Sequence, residues 1–166
     1  MTDERLGEAL WGALERLPRG GGVVFRHYGL ALAERRALFR KVAKVAQRRG
    51  LVLVRAGARP FRGEAGIHNV LGNGLRTAAA HDRAEAVAAV RRGAKVLFVS
   101  PVFRTRSHEG ASGLGTLRLR RIHAGLPVTV IALGGMDEAR FRRVRPLGVD
   151  GWAGIDAWTR GGRVRS

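Results

Sequence analysis

Four of the five histidines, His27, His68, His81 and His108, fall at or near the ends of short apolar runs. Imidazole suits zinc and similar ions, so a histidine metal cluster is the first chemistry to weigh. The chain has no cysteine, which excludes a thiolate metal site and a disulfide framework. A formal net charge of +18 suits anionic partners: nucleic acid, an anionic membrane or phosphorylated small molecules. Arginine far outnumbers lysine, and alanine and glycine are abundant. That bias also arises when a GC-rich coding sequence fills solvated positions with arginine, and the charges lie along helix faces with no single basic tail. Trp11, Trp152 and Trp158 lack the interleaving with basic residues that a base-stacking platform shows, so they are assigned to packing.

The elements that must position these residues alternate. Asp3 can cap a helix reaching Leu17, with Leu6, Leu10, Ala13, Leu14 and Leu17 on one face. Val23 to Tyr28 has the pattern of a buried strand. Ala31 to Arg49 forms a second helix, with Leu38, Val42 and Val45 inward and Gly50 as its stop. Leu51 to Arg55 is a strand. Gly57 to Gly74 holds only a short strand-like piece, GIH at Gly66 to His68, and has no room for two full helices. Leu75 to Ala80 is a strand, and Asp82 with Glu85 makes a capping box for the next helix. Lys95 to Val99 is a strand followed by a loop from Ser100 to Gly115, a helix around Leu117 to Ala124, and a strand at Val128 to Leu133. Asp137 caps a helix to about Pro146, and Gly151 to Ile155 is the last strand. This succession predicts a parallel α/β fold in one domain spanning residues 1–166. In (β/α) barrels the working residues sit at the C-terminal ends of the strands. That rule selects Arg26 to Tyr28, Arg55, His68, Asn69, Ala80, His81, Ser100 to His108, Gly134 to Met136, Ile155 and Asp156.

Three segments then carry a resemblance. SPVFRTRSHEGASGLG follows KVLFV, VIALGGMD spans the next strand and turn, and GWAGIDAW ends the alternation. At this spacing they resemble the thiamine-phosphate synthase family and its thiazole-tautomerase relatives. GIH at Gly66 to His68 is similar to the family's fourth strand, and Ala80, His81 and Glu85 to its fifth strand and helix. The resemblance is good over residues 66–158 and weaker before them. It implies an α/β, TIM-type (β/α) barrel. Met1 to Asp3 would match the end of the family's first strand, so that strand is expected to be missing here and encoded upstream of Met1. The third, fourth and eighth helices are expected to be minimal.

The resemblance also implies a transferase of thiamine biosynthesis that joins a pyrimidine methyl diphosphate to a thiazole phosphate. Diphosphate departs, and the thiazole nitrogen captures the resulting pyrimidine cation. Magnesium and basic groups neutralise the leaving group, and glycine turns hold the thiazole phosphate through backbone N–H groups. On this chain the implied catalytic residue is Arg26. Thr105, Ser107, His108, Gly134, Gly135, Ile155 and Asp156 are the implied phosphate-binding set, with Arg55, His81, Arg104 and Arg106 as further candidates. His108 stands where the family has a phosphate-binding lysine, Tyr28 where it has a second basic residue, and Asp156 where it has a serine. Arg55 and Ala56 replace an N-D pair, NVLGNGL lacks the acidic metal ligand that follows the fourth strand, and Ala79 replaces a serine. Magnesium is thus implied by the family, but its ligands are not visible and no metal ligand is assigned. Pro101 stands where the tautomerase has its catalytic histidine. His68 and His81 match positions at which the family carries histidine for fold reasons, which favours a structural role over a metal cluster.

Two further functions stay open: a non-catalytic relative that binds a phosphorylated ligand, and an arginine-rich protein that binds nucleic acid with steep salt dependence. The N-terminus lacks the pattern of a signal peptide, and no apolar stretch approaches the roughly 18 residues a membrane span needs. The expected location is therefore the cytoplasm, with no membrane partner. A barrel short of one strand has two unpaired edges, which could serve a homodimer.

Overall fold

The structure is a computed structural model that describes residues 1–104 and 113–159, with the backbone alone at Asp156. The chain divides into two compact units. The first comprises Met1–Leu75 and the described residues from Ile155 onward, and the second Arg76–Gly154.

In the first unit the strands β1 (Gly22–Phe25), β2 (Val52–Ala56) and β3 (Gly66–His68) are neighbours in chain order and parallel, with Val24 opposite Val54 and Val54 opposite Gly66. Thr2 N–H donates to the Val24 carbonyl at 2.9 Å, so the chain start lies beside β1. The first expected helix is broken in two. Asp3 caps a 3-10 turn, Glu4–Leu6, and α1 runs only over Ala9–Arg16. Gly7 separates them at φ +47, a left-handed value that an α-helix cannot contain. Leu6, Leu10, Ala13 and Leu14 are nonetheless buried as their spacing required. Helix α2 (Leu32–Arg49) ends at Gly50 in the left-handed conformation, whose N–H caps the Ala46 and Gln47 carbonyls. Its buried stripe is Arg35, Phe39, Val42 and Ala46, one residue round the helix from the expected Leu38 and Val45, which are only partly buried. Phe25, Phe39 and Phe61 form the aromatic centre of this core, with ring centroids 4.8 to 6.4 Å apart.

The second unit continues with β4 (Leu75–Ala80), α3 (Arg83–Arg91), β5 (Val96–Val99), α4 (Gly115–His123), β6 (Thr129–Leu133), α5 (Glu138–Val144) and β7 (Gly151–Ala153). Strands β4 to β7 are neighbours in chain order and parallel. Leu97, Val99, Leu119, Val130, Ala132 and Val144 fill its core. Asp82 and Asp137 cap α3 and α5 by accepting the Glu85 and Arg140 N–H groups, each at 2.8 Å. The capping box at α3 closes differently from expectation. Glu85 reaches back to the N–H of His81, one residue before the cap, and to its ring.

The expected alternation is thus present, with strand edges moved by no more than three residues and the first helix shortened at its start. Strand β1 stops at Phe25 and β7 at Ala153, which leaves Arg26 to Tyr28 and Ile155 in the connections that follow. Among the described residues no helix separates β2 from β3 or β3 from β4, and only a 3-10 turn, Asp156–Trp158, follows β7. Among the described residues no helix is long and apolar enough to cross a membrane.

Candidate active site

At the ends of β1 to β3, Arg26 is fixed by its backbone. Its N–H donates to Thr2 Oγ1 at 3.0 Å, and its carbonyl accepts from Arg35 at 3.0 Å. Its guanidinium lies 5.9 Å from the centre of the Tyr28 ring and makes no ion pair with a described carboxylate. His27 is buried, stacked on Phe25 with ring centroids 4.9 Å apart, and its Nδ1 is 3.0 Å from the same Thr2 hydroxyl. Burial pushes its pKa down. The side chains of His27 and Tyr28 therefore diverge: the first packs inward, while Tyr28 is 56% exposed.

Arg35 is one residue that the sequence did not reveal. It rises from α2 with its guanidinium carbon 5.3 to 5.6 Å from the ring centres of Phe25, Tyr28 and Phe61. Its Nη2 bonds the Arg26 carbonyl and, at 2.6 Å, the Ala56 carbonyl, tying the end of β2 to the connection after β1. A signal existed: arginine at the first position of the stripe continued by Phe39, Val42 and Ala46 had to be buried or to break the face.

Arg55 is only 4% exposed. Glu64 grips it by two bonds, Nε to Oε2 at 2.5 Å and Nη2 to Oε1 at 3.1 Å, and its Nη1 donates to the Gly57 carbonyl. Glu64 Oε2 also accepts the Phe61 N–H at 2.9 Å. This fork-to-carboxylate pairing exhausts Arg55 internally. His68 closes β3 and is equally buried. Desolvation, then the nearby Arg26 charge, lowers its pKa to about 4, so the ring is neutral at pH 7. Ile155 packs against the core of this unit, and Asp156 opens the terminal 3-10 turn.

At the strand ends of the second unit, the Gly134–Gly135 turn has φ of +94 and +59. A Cβ on Gly134 would sit 2.8 Å from Pro101 Cα, and one on Gly135 would sit 2.5 Å from the Arg104 carbonyl. The glycines are therefore required by the close approach of the segment after β5, which Val102 and Phe103 secure through N–H bonds to the Leu133 and Gly134 carbonyls at 2.9 and 3.1 Å. Arg140, also missed, reaches from α5 to the Gly135 carbonyl and lies 5.2 Å from the centre of the Phe103 ring. Arg104 is exposed at the rim of the turn. His81 is exposed and held by Glu85, Nδ1 to Oε2 at 2.9 Å. Thr105, Arg106, Ser107 and His108 lie outside the described residues.

The structure thus brings Arg26, His68 and the Arg55–Glu64 pair together in one unit, and Arg104 with Gly134 and Gly135 in the other. The family profile for thiamine monophosphate synthase matches residues 68–158, more than half of the chain. This chain belongs to the thiamine monophosphate synthase family. Thiamine-phosphate synthase of Chloroflexus aurantiacus is 38% identical over 91 residues, 53% of this chain and 41% of that protein. The Geobacillus kaustophilus thiamine-phosphate synthase is 36% identical over 93 residues, 55% of this chain and 42% of its own length. The chain matches about four tenths of the length of these relatives. Among solved structures, thiamine phosphate pyrophosphorylase from Pyrococcus furiosus superposes with a TM-score of 0.79 at 22% identity, over 96% of this chain and 86% of that one. That likeness shows the TIM-type α/β fold of the thiamine monophosphate synthase family.

The magnesium associated with this family finds no fit among the described residues. A hard divalent cation needs several oxygen ligands, and no described group of three or more His, Cys, Asp or Glu gathers anywhere. At the end of β2 the Arg55 guanidinium and Ala56 stand where the resemblance implies an N-D pair, and the neighbouring carboxylate of Glu64 is spent on Arg55.

Proposed function

We propose that this protein is a transferase of thiamine biosynthesis that joins a pyrimidine methyl diphosphate to a thiazole phosphate. The observation that carries this is the family match across β3 to β7, which includes the glycine turn at Gly134–Gly135. Arg26, held by two backbone bonds and without an ion-pair partner among described carboxylates, is suited to neutralise a departing diphosphate. In the reaction the bond between the pyrimidine methyl carbon and the diphosphate oxygen breaks with its electron pair on oxygen, and the thiazole nitrogen lone pair forms the new C–N bond. Arg26 would bind the developing negative charge. Gly134 and Gly135, with Thr105, Ser107, His108, Ile155 and Asp156, would hold the thiazole phosphate, and Arg104 and Arg106 would add charge at the rim. His81, braced by Glu85, would border the substrates. We place the partners as phosphorylated small molecules and the activity in the cytoplasm.

The replacement of the family's N-D pair by Arg55 and Ala56, which removes its carboxylate, favours a second reading, a relative that binds the thiazole phosphate without turnover. One experiment separates the two. The purified chain is supplied with both substrates, and thiamine phosphate is measured for the parent and for Arg26→Gln. Product from the parent, reduced at least about tenfold in the variant, supports the transferase. Thiazole phosphate bound with no product from either chain supports the binding protein.

A further inference from the structure

We infer that the site at the ends of β1 to β3 takes its polyphosphate anion free of metal, with fixed cationic groups in the place of a divalent ion. This rests on the phosphate-handling function proposed above and specifies the charge state of its ligand. Among the described residues, three carboxylates lie near these strand ends, and each accepts from at least one protein donor. Glu64 is gripped by Arg55 and Phe61 N–H. Asp3 is held by the Arg5 side chain at 2.8 and 3.3 Å and by its N–H at 3.0 Å. Glu4 accepts the Gly29 N–H at 2.9 Å. Freeing Glu64 for a metal would strand a guanidinium that is almost wholly buried, a cost that a buried charge does not tolerate without a partner. Arg26, by contrast, makes no ion pair with a described carboxylate, and its charge is felt both at Asp3, which Arg5 already holds, and at the buried ring of His68. A cation entering beside Arg26 and Arg35 meets repulsion, and among the described residues no cluster of three or more acidic or histidine ligands gathers to offset it.

The electrostatics fix the sign of the test. Magnesium cancels two of the charges on pyrophosphate, so a site built from cations prefers the free anion. The experiment is a calorimetric titration of the full chain with inorganic pyrophosphate, once in EDTA and once with saturating magnesium. The expected result is binding in EDTA that weakens severalfold with magnesium, and that Arg26→Gln weakens about tenfold while retaining the parent's circular dichroism and melting. Binding seen only with magnesium would overturn this inference and leave the phosphate function standing. Flat titrations in both conditions would overturn the two together.

Discussion

Arg35 is a cation that spends its charge on backbone carbonyls and aromatic faces. At 9% exposure it cannot turn to water, and its Nε is buried without a hydrogen-bond acceptor among the described residues. Arg35→Met keeps the apolar stem against Phe25 and Phe61 but deletes both bonds to the Arg26 and Ala56 carbonyls. Each such charge-assisted bond contributes roughly 1.5–3 kcal/mol. The expected loss is about 3 kcal/mol in urea unfolding, and Arg35→Lys should recover little of it, because an ammonium cannot reproduce the flat fork stacked among rings. A loss under about 0.5 kcal/mol would show that the clamp is dispensable. His68 carries a pH signature. Its folded pKa of about 4 lies below the ordinary 6.5, so between those values the unfolded chain holds more protons than the folded one. Stability from this group is complete above about pH 6.5 and drains as the pH falls toward 4, by at most about 3 kcal/mol. His68→Gln should flatten the stability profile across that window relative to the parent, and two parallel profiles would refute the assignment.

Among the elements, β3 depends on a single missing side chain. A Cβ on Gly66 would stand 2.1 Å from the Leu75 carbonyl oxygen, where the start of β4 presses on the strand. Gly66→Ala should therefore abolish the cooperative unfolding transition. Gly7→Ala, at a left-handed φ but with open space around it, should cost only about 1 kcal/mol. Equal melting temperatures for the two variants would contradict this account. The same elements show what could be foreseen. The strands at GIH and Leu75 to Ala80 have the expected limits, because apolar runs between turn residues determine them locally. The first helix was misjudged because its apolar period continues through Gly7, and period alone carries no φ. Strand β1 was made too long because His27 is apolar in its packing, stacked on Phe25, yet leaves the ladder to meet Thr2, a partner 25 residues away. The candidate site divides along the same line. Arg26, His68 and the glycine turn were visible from type and position, whereas Glu64 as the partner of Arg55, and Arg35 and Arg140 as carbonyl donors, depend on tertiary contacts.

For the whole molecule, basic residues outnumber acidic ones 31 to 13, and several of the described arginines turn to backbone acceptors in place of carboxylates. Arg16 bonds the Trp158 carbonyl, Arg49 that of Leu17 and Arg76 that of Arg92, at 2.9 to 3.1 Å. Arg83 serves two carbonyls at the end of α4, Ile122 at 3.0 Å and Ala124 at 2.7 Å, where the helix dipole also welcomes a cation. These arginines are not mere solvated filler, as composition alone suggested; they tie segments together without needing carboxylates.

A chain stitched in this way has its weakness in the chemistry of one functional group. α-Dicarbonyls such as phenylglyoxal condense with guanidinium and remove its fork of donors, whereas amine-acylating reagents find only Lys41, Lys44 and Lys95 besides the amino terminus. Dicarbonyl adduction should therefore unravel this protein well before acylation does, with circular dichroism lost in step with arginine modified. Retention of the folded signal after extensive arginine modification would mean that the carbonyl stitches are ornamental.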